Sequence, residues 1–308
     1  MLKKFHFELK MRETMLNVLI NVFLALIIAC NAEASHLVGI PGLPLAISAV
    51  WPATGFALAA LLLFGFKVWP GIFLGNFCTN FYHFYNGNHS MMAMLLAATT
   101  VSLGSLLQAL LGGYILRRFS TSNYFGTVKD IVIFLLPAGI LTCLIASTVG
   151  VITLYLYGAF SNWSFGLYIW TTFWIGDSMG VYIFTPLIVV WTFRRPSVSL
   201  RKYRFEAILM IASFIILNYL VFFRNYPVGQ LFIPLSLWAT CRFRMHGATV
   251  ANFCIALTAI MFTTFGYGSY VANVVSNSLL IVVSCLEIMA AACLILAAAI
   301  EERDQAWS

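Results

Sequence analysis

The run MMAMLLAATTVSLGSLLQALLGGYIL at residues 91–116 contains no Asp, Glu, Lys or Arg and is closed by Arg117-Arg118. A helix needs about 20 apolar residues to cross the hydrocarbon of a bilayer. Fixed positive charge resists transfer across it, so short loops rich in Lys and Arg stay in the cytoplasm. Residues 91–116 therefore read as a transmembrane helix whose far end is cytoplasmic. Outward from it, comparable segments lie at 15–33, 45–66, 68–86, 130–158, 165–193, 205–223, 228–241, 247–264 and 276–300. With the N-terminus in the cytoplasm, sixteen of the seventeen Lys and Arg residues fall on that side: Lys3, Lys4, Lys10, Arg12, Lys67, Arg117, Arg118, Lys129, Arg194, Arg195, Arg201, Lys202, Arg204, Arg242, Arg244 and Arg303. Only Arg224 is outside. A wrong segment count would scramble this alternation. The sequence thus predicts an all-α, polytopic transmembrane helical bundle of about ten spans with both termini cytoplasmic.

Composition agrees. The chain is 62% hydrophobic and 9% charged, with a mean hydropathy of +0.94. A water-soluble domain must cover itself with polar surface and cannot be this apolar. The short connections leave no room for a soluble domain. The organisation reads as a cytoplasmic segment at 1–14, one membrane domain at 15–300 and a cytoplasmic stub at 301–308. The net charge of +7 sits in scattered groups at helix ends, which suits anionic lipid rather than nucleic acid. The bilayer is the first partner, a second copy of the chain is a candidate partner, and no nucleic acid is expected. Seven cysteines lie in or beside apolar segments, with no CxxC, and read as small buried hydrophobes. The first segment has a rival reading as a signal peptide ending near Ala32-Glu33-Ala34. Its long lead before the apolar run favours retention as a span.

A few polar positions inside the apolar segments carry the functional information. Asp177 lies near the middle of 165–193, and an intramembrane carboxyl is costly unless paired, solvated or protonated. No Lys or Arg occurs at comparable depth, so Asp177 must use hydrogen-bond donors, a bound cation, water or its own proton. Helical spacing places Trp170, Trp174, Asp177 and Val181 on one face, offering two indole donors beside the carboxyl. Gly176 and Gly180 form a pair of small residues that admits a close neighbouring helix. The competing reading makes Asp177 packing glue between helices. Glu287 in 276–300 has aliphatic neighbours and reads as a structural intramembrane acid, either protonated or bonded between helices. Trp51, Pro52 and Thr54 open the 45–66 segment, where Pro52 removes a backbone donor and starts or bends the helix. Asn76 and Asn80 follow one turn apart after Gly71 and Gly75. The 228–241 segment is short and interrupted by Pro234, with Trp238 one turn on. Elements of this kind line cavities at membrane depth. The candidate ligand-binding set is Trp51, Pro52, Thr54, Asn76, Trp174, Asp177 and Trp238, and the candidate helix-packing set is Gly71, Gly75, Gly176 and Gly180. His6, His36, His83, His89 and His246 lie near segment ends and are not spaced as metal ligands. With no phosphate loop or nucleophile elbow either, no metal, cofactor or enzymatic activity is expected.

Two stretches resemble a known family: Trp51-Pro-Ala-Thr-Gly55 through Gly65, followed by Val68-Trp69-Pro70-Gly71-Ile-Phe-Leu-Gly75-Asn76, and Trp174-Ile-Gly176-Asp177-Ser-Met-Gly180-Val-Tyr-Ile-Phe-Thr-Pro186-Leu. Pro234-Leu-Ser-Leu-Trp238-Ala-Thr-Cys-Arg242-Phe with Gly247 adds to the likeness. These are similar to the bacterial type-1 membrane-associated sensor (MASE) domain family, in consistent order over about residues 15–300. The resemblance implies a multi-pass domain of the bacterial inner membrane that supplies the input to two-component or cyclic di-GMP signalling. In that family the domain is usually joined to a histidine kinase, a diguanylate cyclase or phosphodiesterase, or a PAS module. Here Glu301-Glu-Arg-Asp-Gln-Ala-Trp-Ser308 looks like the start of a signalling helix. The expected output is therefore a kinase or cyclase acting in trans, or a missing module. Two other functions compete: a small secondary transporter with Asp177 as its ion or proton site, and a membrane scaffold that senses nothing.

Overall fold

The computed structural model describes residues 2–36, 48, 50–85, 90–121, 124–195, 203–268 and 275–306, with side chains from Met11 in the first helix and from Leu279 in the last. Of the Arg194–Lys202 connection, only Arg194 and Arg195 are within the described residues, and Asn88 and His89 lie outside them. The elements in order are α1 (Leu2–His36), α2 (Pro52–Phe64), α3 (Trp69–Tyr85), α4 (Met91–Phe119), α5 (Val128–Ile133), α6 (Thr142–Leu156), α7 (Trp163–Phe193), α8 (Arg204–Asn218), α9 (Phe232–Thr264) and α10 (Val275–Ala306). A π-helical stretch, Phe134–Leu141, joins α5 to α6 around Pro137, and another, Tyr219–Phe223, ends α8. No strand forms among the described residues.

The bundle buries a largely apolar core with polar side chains set into it, and its outside is apolar as well. On α1, Leu16, Val18, Leu19, Val22, Phe23 and Leu26 are 54–66% exposed, while Thr54, Asn76, Ser102, Gln108, Asp177, Ser236 and Asn252 are buried. Water would reject that surface, whereas lipid accepts it and requires the polar groups to find partners within the protein. Four of the cysteines, Cys30, Cys78, Cys241 and Cys285, are on the apolar surface and only Cys143 and Cys293 are buried. This corrects the expectation of a buried set, because lipid and core are equally hospitable to a thiol.

Seven described helices are long and apolar enough to cross a membrane, and Pro52–Phe64 is a shorter apolar one. The 45–66 segment becomes helical only at Pro52, which fits the first helical position because it needs no N–H partner there. The 228–241 and 247–264 segments form the single run α9, broken at Arg244 (φ 57°, ψ −140°). The Ser236 hydroxyl reaches Asn252 Oδ1 at 2.8 Å across that break. Sixteen residues of straight helix rise about 24 Å, so the chain turns back at Arg244.

Packing divides around α7. On one side α1 lies on α3, α3 on α4, α4 on α6, and α2 and α6 on α7. On the other, α9 and α10 pack on each other and on α7, with α8 against α9. α7 is thus the wall shared by both halves.

Candidate functional site

The site is built on the crossing of α2 and α7. Both helices present glycine there: a Cβ on Gly55 would stand 2.2 Å from the Gly180 carbonyl oxygen, and one on Gly180 would stand 2.0 Å from that of Trp51. Only bare backbone fits such a gap. The Trp51 N–H donates to the Gly176 carbonyl (2.9 Å). The Thr54 hydroxyl lies 2.7 Å from the Trp51 carbonyl and 3.0 Å from that of Asp177, and the Thr185 hydroxyl donates to the Gly55 carbonyl (3.0 Å). Pro52 and Thr54 therefore serve the crossing, Pro52 by starting α2 and Thr54 by bridging it to α7.

This crossing delivers Asp177 to a cavity of about 100 Å³. Trp51 and Asn76 share that cavity, together with Asn80 and His83 of α3, Ser105 of α4, Ala146 and Gly150 of α6, and Phe173 of α7. Asp177 is only 9% exposed, and its carboxyl has no hydrogen-bond or ion-pair partner among the described residues. The neighbouring polar groups donate to carbonyls of their own helices, and Asn80 Nδ2 also reaches the Ser102 hydroxyl of α4 at 3.4 Å. Asn76 Nδ2 donates to the Ile72 carbonyl (2.9 Å), Asn80 Nδ2 to that of Asn76 (2.9 Å) and the Ser105 hydroxyl to that of Val101 (3.3 Å). Their oxygens remain as acceptors. No Lys or Arg lines the cavity among the described residues. Toward the end of the bundle where α3 finishes, His83 Nε2 stands 3.2 Å from Glu33 Oε1, and the Tyr157 hydroxyl donates to the Phe84 carbonyl at 2.9 Å.

The next residue along α7 faces elsewhere. Successive helical residues point about 100° apart, and Ser178 turns toward α10, where its hydroxyl donates to Glu287 Oε1 at 2.5 Å. The two intramembrane acids are therefore one residue apart in their attachment to α7. Cys143 of α6 is fully buried. It accepts a hydrogen bond at 3.1 Å from Gln108 Nε2, while Gln108 Oε1 has no partner among the described residues.

The structure places other predicted residues apart from the cavity. Trp174 is not on the wall: its indole donates to the Ile140 carbonyl at 3.1 Å, in the π-helical stretch. Trp170 donates to the Thr148 hydroxyl at 3.1 Å, so neither indole reaches Asp177. Trp238 lines a separate shallow cleft with Ser213, Leu217 and Pro234, between α8 and α9. The rest of the cavity wall is accordingly made by α4 and α6 rather than by the 228–241 segment. Gly71 and Gly75 face α1, where added Cβ atoms would stand 2.5 Å from the Asn21 carbonyl oxygen and 2.8 Å from that of Ala25. Asn21 Oδ1 also accepts from Gly71 N–H (2.7 Å). Sequence reading missed Ser178, Ser105 and His83 as parts of the site. Asn76, Asn80 and His83 recur at helical spacing, which is the signal that could have extended the set along α3.

At the opposite end, α10 is held by charge. Arg194 of α7 pairs with Glu301 (2.6 Å), Arg244 of the α9 corner pairs with Asp304 (2.8 Å), and Val128 N–H of α5 donates to Glu302 (3.1 Å). Met245 N–H adds a bond to Glu301 at 3.3 Å.

A multi-pass helical membrane protein with a buried carboxyl on a largely apolar cavity that holds a few polar groups is what the fold and site define. The chain belongs to the membrane-associated sensor domain 1 family, MASE1, whose family model matches residues 13–304. No curated protein and no solved structure matches it.

Proposed function

We propose that the chain is a signal-input domain of the bacterial inner membrane, with ten spans and cytoplasmic termini. The cavity beside Asp177 receives a small ligand or membrane-derived signal, and α10 carries the response to a kinase or cyclase. The domain acts by binding and catalyses nothing. One observation carries this reading: Asp177 faces the cavity while the adjacent Ser178 is bonded to Glu287 of α10. Any rotation or shift of α7 that follows a change at Asp177 pulls on the bond to α10. The ionic contacts at Glu301 and Asp304 then give α10 two ways of sitting against α7 and α9, and a ligand biases them only by favouring one. The sixteen-to-one split of Lys and Arg supports the topology, as does the meeting of Arg194, Arg244 and the end of α10 at one end of the bundle.

The test is a fusion of the chain, in helical phase with α10, to a diguanylate cyclase whose product is measured in cells. Asp177→Asn, Ser178→Ala and Glu287→Gln are expected to reach the membrane at wild-type abundance and to change cyclic di-GMP. One interhelical bond in a membrane is worth about 0.6 and at most about 1.7 kcal/mol, which moves a two-state balance about three- to twentyfold. Asp177→Leu should damage abundance as well. Wild-type output from all three conservative variants refutes the coupling. Solute flux in reconstituted vesicles would make the chain a transporter instead.

A further inference from the structure

We infer that the Asp177 cavity binds a small organic ammonium ion. The inference deepens the sensor reading and rests on it for the consequence at α10. It starts from an imbalance of hydrogen-bonding groups. The carboxyl of Asp177 has no partner among the described residues, and Asn76, Asn80 and Ser105 donate to carbonyls of their own helices, Asn80 also to Ser102 of α4, while their oxygens stay available. Four side-chain acceptors from three helices thus line one small chamber, with no Lys or Arg among the described residues of its lining. Unmatched buried polar groups are costly, and an unpaired intramembrane carboxylate more so. A ligand that supplies several N–H donors and one positive charge satisfies this set, and an ammonium group does both.

The rest of the lining selects the kind of cation. Ca²⁺ takes six to eight oxygens and Mg²⁺ demands six in near-octahedral order, more than four scattered side chains supply. Trp51, Phe84, Phe173 and Leu154 make up much of the remaining wall. Aromatic rings attract alkylammonium ions, and an apolar wall accommodates a short carbon chain that a bare metal ion lacks. The volume of about 100 Å³ limits the guest to a few heavy atoms. Glu33, 3.2 Å from His83 of the lining, adds a further carboxyl beside the chamber.

The experiment uses the full chain purified into lipid nanodiscs and titrated with methylammonium, ethylammonium and propylammonium chlorides. The alcohols of matching length and sodium chloride at equal ionic strength serve as controls. Thermal stability and tryptophan fluorescence report binding, and spin labels at Phe193 and Arg303 report the distance between the ends of α7 and α10. We expect a saturable response to an alkylammonium ion and none to the alcohols. Asp177→Asn should weaken it about ten- to a hundredfold, the worth of one charge-assisted hydrogen bond. Ala146→Leu keeps Asp177 but fills the chamber from α6, and should abolish the response while the protein still purifies folded. The inference fails if no alkylammonium ion gives a saturable response, if Asp177→Asn and Ala146→Leu both respond as wild type, or if sodium does as well. Binding that leaves the label distance unchanged would sustain the ligand and overturn the sensor reading. A ligand-free fusion whose output still follows Ser178 and Glu287 would sustain the sensor reading without the amine.

Discussion

Gly180→Ala tests whether the α2–α7 crossing holds the site together. The added methyl would start 2.0 Å from the Trp51 carbonyl oxygen and 2.6 Å from the Thr54 hydroxyl, whereas ordinary contact begins near 3.4 Å. The helices would have to part by about 1.4 Å, the difference between 3.4 and 2.0 Å. The nearest obstacle is backbone, which cannot rotate out of the way. Overpacking of this kind costs about 1–3 kcal/mol. The same movement stretches the bonds from Trp51 to Gly176 (2.9 Å) and from Thr54 to Asp177 (3.0 Å), each worth about 0.6 kcal/mol in a membrane. Together the loss is about 2–4 kcal/mol, a large share of the 5–15 kcal/mol typical of a folded protein. Gly113→Ala is the control, because its methyl would meet only side-chain atoms, of Leu61 at 3.3 and 3.4 Å and of Phe66 at 3.8 Å. Reversible unfolding in mixed detergent should place Gly180→Ala and Gly55→Ala well below Gly113→Ala. The Gly55/Gly180 double variant should lose less than the sum of the two, since both methyls contest one gap. Equal stability of Gly180→Ala and Gly113→Ala would refute the crossing as described.

Two further outcomes follow from the ends of the bundle. Reporter fusions at Ser197 and Asn88 should give opposite topology signals, and matching signals would end the ten-span arrangement. Glu301→Ala removes one side of an ion pair whose side chains are only 11% and 16% exposed. A buried pair broken in this way costs about 3–5 kcal/mol, so amide exchange over residues 295–306 should quicken, and the exchanged pair Arg194→Glu/Glu301→Arg should restore part of the protection; unchanged exchange in Glu301→Ala would show that the contact does not hold α10.

Much of the fold was legible because a membrane simplifies the code. Length of apolar run, basic residues at its ends and the small-residue pairs at Gly71/Gly75 and Gly176/Gly180 each reflect one constraint of the bilayer. The cavity was legible in part: Trp51, Asn76 and Asp177 do meet. Trp174 misled because periodicity gives a shared face but not a hydrogen-bond partner. The carbonyl it reaches, Ile140, lies in a π-helical stretch around Pro137, and no local pattern predicts how that stretch presents its carbonyls. Trp238 misled because a short proline-interrupted segment can equally be half of a reversal, as the corner at Arg244 makes it. Glu287 has only aliphatic neighbours in sequence, and its partner Ser178 is 109 residues away.

In the sensor proposed above, the arrangement of α7 between two unlike neighbours is what would direct a signal. Toward α2 the closest approach is backbone on backbone at Gly55 and Gly180, braced by the Thr54 and Thr185 hydroxyls, so that side acts as a stiff stop. Toward α10 the contact runs through a serine hydroxyl and a glutamate side chain, both of which rotate at little cost. A guest that presses on Asp177 therefore cannot drive α7 into α2. The displacement is relieved on the side where packing yields, which is α10. At the far end of that helix, Glu301 joins Arg194 of α7 itself, while Asp304 joins Arg244 of the α9 corner. A shift of α7 relative to α9 thus draws the two anchors of α10 in different directions. In this reading the unusual feature of the sequence, a carboxyl with no cation at its depth, and the ionic end of α10 are two ends of one lever whose pivot is the glycine crossing.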